Sequence, residues 1–176
     1  MAYAMLNPVQ LSMLTLSIRT QPHSPQTIKA MQAAEGYVFL GLFREALKEL
    51  DSISPTEQES SDVMIARIRV LLFLRRFTSA ARLSVRGETL YRDEDEFTVQ
   101  HAFSLSQLDK REEAKEVIDG APEWLRRTGI IHYNLGCYEA RWGSLKNARQ
   151  CVQTAIKMNA AIKMNLKQDP DLAALF

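Results

Sequence analysis

The sequence predicts an all-α chain made of stacked helical hairpins, and three observations carry that prediction. A small residue returns every 34 positions, at Ala46, Ala80, Ala114 and Ala148, with no insertion between the returns. A short hinge precedes each of these alanines and an apolar stripe follows it, the pattern that a helix–turn–helix unit of about 34 residues produces. Only seven glycines and six prolines punctuate 176 residues, too few for a turn-rich β protein.

Taken in order, residues 8–19 read as a helix with Pro8 in its first turn. Its apolar residues form two stripes, Val9/Met13/Leu16 and Leu11/Leu14/Ile18, so both sides need covering. The alternation of Leu11, Met13 and Thr15 also admits a strand. Pro22 and Pro25 mark a linker from Thr20 to Thr27.

The first helical pair is Thr27–Leu40 and Phe43 to about Ile53, hinged at Gly41-Leu42 and ended before Pro55. The second joins Ser60–Leu74 to Phe77–Tyr91 across Arg75-Arg76, and the third joins Asp93–Leu108 to Arg111–Asp119 across Asp109-Lys110. Gly120 and Pro122 stop the third. The fourth starts at Glu123 or Thr128, runs to Trp142, turns at Gly143 and continues from Leu145. No breaker follows: Ala155-Ile156-Lys157-Met158-Asn159 repeats as Ala161-Ile162-Lys163-Met164-Asn165, which predicts helix to about Gln168, before Asp169-Pro170. Asp171–Phe176 is a short apolar tail suited to fold back as a cap. The expected organisation is therefore a capping half-repeat and linker over 1–26, repeats at 27–60, 61–94, 95–128 and 129–160, and an extended helix with its tail over 161–176.

In the fourth unit Tyr133, Asn134, Leu135, Gly136, Gly143, Ala148 and Ala155, and in the first Ala34, Tyr37, Gly41, Phe43, Ala46 and Pro55, resemble the pattern of the tetratricopeptide repeat family, in a bacterial-type protein of about four repeats. The resemblance covers about residues 27–160. The middle units depart from it. Ile68 stands where a small residue is usual, Arg75 and Asp109 replace the hinge glycine, and Arg111 replaces the hinge aromatic. The resemblance implies a right-handed α-α superhelix whose end units need capping. Residues 8–19 fall one period before the second helix of the first pair, with Ser12 at the small-residue position; they would cap the N-terminal end.

Composition and motifs offer little chemistry. Twenty-two basic and 21 acidic residues leave a net charge of +1, with no basic field for nucleic acid and no acidic tail. No run reaches about 18 consecutive apolar residues, and Met1–Ile18 lacks the basic front of a signal peptide, so a soluble, cytoplasmic chain is expected. Two cysteines, Cys137 and Cys151, are too few for a disulfide framework. Cys137 reads either as a small buried residue or as a reactive groove thiol. His23, His101 and His132 have no metal-ligand spacing. Glu35, Asp62 and Glu96 recur at near-equivalent positions, but paired carboxylates act only when they converge.

The acidic run Asp93–Glu96 is an inter-repeat loop and helix start, or a docking site for a basic partner. Arg67, Arg69, Arg75, Arg76 and Arg82 form a basic cluster that reads as a solvated face. No catalytic residue, metal ligand or cofactor site is expected.

What remains is a groove. By the resemblance, first helices line the concave face, which here would carry Met31, Glu35, Val38 and Phe39, then Ile65, Arg69, Leu72 and Phe73. Val99, Phe103, Ser106 and Gln107 follow, then Tyr133, Cys137, Ala140 and Arg141. An apolar stripe with a few charges suits a peptide or helix segment of another protein, unless part of it is core or is covered by the chain's own tail. Met31, Glu35, Ile65 and Val99 stand where a carboxylate clamp would need Lys or Asn, which disfavours chaperone C-terminal tails. The expected function is a non-catalytic adaptor or assembly scaffold. Two alternatives stand beside it: a cytoplasmic chaperone for a secreted or assembling subunit, and a self-assembling homodimer paired through the N-terminal helix.

Overall fold

The computed structural model describes residues 22–164, 166 and 169–175. The capping helix expected over 8–19, and the dimer contact assigned to it, lie outside the described residues. Those residues are all-helical, with no strand among them. The ones up to Ser104 belong to one compact unit and those from Leu105 onward to another. The helices are α1 (Pro25–Phe39), α2 (Phe43–Asp51), α3 (Ser61–Phe73), α4 (Phe77–Leu90), α5 (Asp95–Gln107), α6 (Arg111–Asp119), α7 (Glu123–Arg126), α8 (Gly129–Arg141) and α9 (Leu145–Met158). Among the described residues, Glu57–Glu59, Ala160–Met164 and Pro170–Leu175 form 3-10 turns.

The 34-residue register is written into the backbone at the hinges. Gly41 (φ 73°), Arg75 (φ 58°), Asp109 (φ 58°) and Gly143 (φ 81°) all take the left-handed conformation. At the first hinge the Leu42 amide donates to the Tyr37 carbonyl (2.8 Å) and the Gly41 amide to Val38 (3.0 Å). The same two bonds close the turns at Arg75-Arg76, Asp109-Lys110 and Gly143-Ser144. They satisfy carbonyls that a helix end would leave without partners. Glycine adopts this conformation at no steric cost, whereas an L side chain costs roughly 1–2 kcal/mol there. The turn therefore survives in the middle units without its usual residue. Four residues past each Schellman turn the expected alanines follow, and Ala46, Ala80, Ala114 and Ala148 are all fully buried, so the paired helices approach closely at each of them.

In the first unit Ala30, Met31, Ala34, Val38, Leu50 and Val70 belong to one core cluster. Phe43 and Phe73 stack at its edge with ring centroids 4.7 Å apart and planes 6° from parallel. The start of α1 is pinned by a polar knot that the sequence does not announce. Ser24 caps the helix, Pro25 follows in its first turn, and the Glu57 carboxylate accepts from the Ser24 amide (2.7 Å) and from the hydroxyls of Ser24, Thr27 and Ser54. Beside it the His23 Nε2 lies 2.7 Å from the Asp62 carboxylate, both side chains almost wholly buried.

In the second unit Ile118, Leu125, Ile131, Val152, Leu166 and Leu172 are buried apolar residues. Glu139, also buried, is neutralised by Lys115 at 2.6 Å, and Trp142 lies under the cations of Arg111 and Lys115 at 5.7 and 5.3 Å. The two starts weighed for the fourth unit are both present, as the short α7 and then α8, with Thr128 as its N-cap residue.

The last α-helix does not extend to Gln168. It ends at Met158, where Asn159 turns extended (φ −145°, ψ 101°) and its side chain accepts from the Ala161 amide at 3.1 Å. Asparagine offers the backbone this local alternative to the helix ladder. Tertiary contact supports the break: a Cβ added at Gly129 would lie 2.9 Å from Ile162 Cδ1, so the 3-10 turn runs tightly over the start of α8. Ala155–Met158 of the first pentapeptide copy are α-helical, whereas Ala161–Met164 of the second lie in a 3-10 turn.

Candidate functional site

Each unit places part of the expected groove. In the first, Met31, Val38, Ile65, Leu72 and Phe103 are buried, Glu35 and Val99 are half-buried, and Phe39 is 77% exposed. Phe73 is half-buried through its stack on Phe43. Arg69 is drawn into an ion pair with Glu96 at 3.1 Å, and the Gln100 amide donates to the same carboxylate oxygen at 3.0 Å. Of the three recurring carboxylates, Asp62 and Glu96 are thus spent on His23 and Arg69.

In the second unit Gln107 is half-buried, Ala140, Tyr133 and Cys137 are buried, and Arg141 is exposed. Ser106 is buried as well. Tyr133 and Cys137 face the chain's own tail. The Tyr133 hydroxyl donates to Asp169 Oδ2, the Cys137 thiol lies 3.7 Å from the same oxygen, and the Asp171 amide donates to Oδ1 at 2.9 Å. Asp169 is 1% exposed and Leu172 fully buried, while Arg149 reaches the Leu175 carbonyl at 3.5 Å. The anchors of this clasp, Asp169 and Leu172, are not among the groove positions read from the sequence. The one sequence signal for them is an acidic, proline-marked segment after the last helix.

Burial pushes the Tyr133 phenol and the Cys137 thiol well above their ordinary ranges, and the adjacent carboxylates push the same way. Both therefore stay protonated and act as donors. Cys137, Asp169 and Asp171 hold their ligand atoms within 4.8 Å of one another. A cation there would require the thiolate, and the Asp169 carboxylate already accepts from three protein donors. The donor set fits a hydrogen-bonded clasp rather than a metal site.

Fold and site together define an all-helical protein of repeated hairpins. No family model matches the chain, and no curated protein matches it. Among solved structures it is similar to MamA 41-end from Desulfovibrio magneticus RS-1, with a TM-score of 0.65 at 12% identity over 88% of this chain and 91% of that one. It is also similar to MamA AMB-1, with a TM-score of 0.56 at 13% identity over 86% and 94% of the two chains. At such identities the likeness shows a shared helical fold. No helix among the described residues is long and apolar enough to cross a membrane.

Proposed function

We propose that this chain is a tetratricopeptide-type interaction module, non-catalytic, whose first-helix face holds a peptide or helix segment of another protein. The observation that carries the reading is the tail clasp. Tyr133 and Cys137, two positions assigned to the groove, hold a short acidic-apolar segment through one carboxylate, beside a leucine that is completely buried. A face able to hold one peptide by hydrogen bonds and an apolar anchor has the chemistry to hold another. The unpaired state of Cys137 and Cys151 supports work in a reducing compartment such as the cytoplasm.

The test is site-specific photocrosslinking of the full chain in its native lysate. Benzoyl-phenylalanine at Gln107 or Arg141 is expected to trap the same discrete protein, and the same group at Glu112, exposed on α6, is expected to trap none. Equal trapping at all three positions, or none at Gln107 and Arg141, would reject the groove as the binding face.

A further inference from the structure

A cleft of about 790 Å³ opens in the first unit among α2, the 51–59 loop, α3 and α4. Its apolar lining includes Leu47 from α2, Met64 and Leu71 from α3, and Leu83 and Val85 from α4. Four arginines, Arg67, Arg76, Arg82 and Arg86, line it against two carboxylates, Asp51 and Glu59. A chain of net charge +1 thus concentrates an excess of two positive charges in one cavity.

The pairing inside the cleft is incomplete. Arg67 binds Asp51 at 2.5 Å and Arg86 binds Glu59. Arg76 and Arg82 then have no carboxylate partner among the described residues. The Arg67 Nη1, shielded from solvent, also has no acceptor. Hydrogen bonds between a guanidinium and a carboxylate are the strong, charge-assisted kind, so Arg76 and Arg82 favour an anionic ligand.

We propose that this cleft is a docking site for an acidic peptide segment of a partner protein that carries a bulky apolar side chain between two carboxylates. It is a different surface from the groove, and the two readings stand or fall separately. Six residues separate Arg76 from Arg82, about 9 Å of rise along a helix. On an extended peptide, carboxylates four residues apart share one face about 13 Å apart, within reach of two arginine side chains, and the residue midway between them points the same way. The apolar lining takes the side chain between them. Nucleic acid fits poorly, because two carboxylates line the cavity and no aromatic ring there offers a stacking platform.

The test uses the full chain and fluorescein-labelled nonapeptides with Glu-Ala-Leu-Ala-Glu at the centre, read by anisotropy, with circular dichroism to confirm folding of each variant. The expected result is saturable binding that weakens about tenfold or more in Arg76→Ala/Arg82→Ala, since each charge-assisted bond contributes on that scale. Binding should fall with added salt and stay unchanged in Arg126→Ala, a control outside the cleft. Replacing either the peptide's glutamates by glutamine or its leucine by alanine should abolish it. No binding up to about 1 mM, or binding indifferent to Arg76 and Arg82, would overturn the proposal. Equal binding of the leucine and alanine peptides would reduce the cleft to an anion site and overturn the peptide. A change of oligomeric state in Arg82→Glu, with no peptide binding by wild type, would assign the cleft to a second copy instead.

Discussion

The phenol of Tyr133 donates to the carboxylate of Asp169, 36 residues further along and equally buried. That bond, with the Cys137 thiol beside it, is what joins the tail to α8. Its strength is readable through Cys137, because a protonated, covered thiol does not react. In a Cys151→Ser background, iodoacetamide should alkylate native Cys137 slowly. Leu172→Ala should cost about 2–5 kcal/mol of local or global stability and speed alkylation by about tenfold or more through tail opening. Mass-spectrometric time courses decide it; unchanged labelling in Leu172→Ala would mean that the tail does not protect the thiol.

Glu57 makes the start of α1 sensitive to acid. The Ser24 amide first, then the hydroxyls of Ser24, Thr27 and Ser54, hold its carboxyl down at about 2, against the opposing effect of partial desolvation. An unfolded glutamate titrates near 4.3. The folded value is the lower one, so the contribution is present above about pH 4.3 and is lost as pH falls towards 2. Wild type should lose melting temperature across that window more steeply than Glu57→Gln. Parallel curves for the two would show that this carboxylate is not the linked group.

The hinges give a prediction of opposite sign at residues of opposite type. Arg75→Gly removes a left-handed strain and should stabilise by about 1 kcal/mol, while Gly143→Ala should destabilise by a similar amount. Asp109→Gly should gain less, because aspartate tolerates this conformation better than arginine. Denaturation midpoints measure all three, and destabilisation by Arg75→Gly would mean that its side-chain contact, 5.9 Å over Phe77, outweighs the backbone.

Gly87 is a packing requirement. A Cβ there would lie 2.1 Å from the Phe97 ring, and Phe97 is fully buried and stacked at 5.9 Å on Tyr91. Gly87→Ala should cost about 1–3 kcal/mol or more by overpacking. Phe97→Leu should recover part of that loss in the double mutant, which a helix-propensity effect would not allow.

The register of the fold was legible because it rests on residues that are small for a steric reason. Ala46, Ala80, Ala114 and Ala148 mark where helices touch, and that holds wherever the chain goes next. Arg75 and Asp109 hid the middle hinges at the level of residue type, yet spacing recovered them, since the backbone turn does not need a glycine. The end of α9 was not legible, because the break at Asn159 depends on Ile162 meeting Gly129 from another helix. The candidate site was legible only by helix. Periodicity places Met31, Val38 and Tyr133 on first helices but cannot say which neighbour covers them. Asp169 is 36 residues from Tyr133, and Ser24 and Thr27 are 33 and 30 residues from Glu57, beyond any local pattern; only Ser54, three residues from Glu57, is local.

The tail clasp also sets a threshold for anything that would take its place. A segment tethered by so short a connection meets its slot at an effective concentration on the order of millimolar. An external peptide making only the same contacts would be outcompeted at ordinary cellular levels. The chain thus carries its own competitor, and occupancy of α8 passes only to a ligand whose contacts are better than a buried aspartate and leucine.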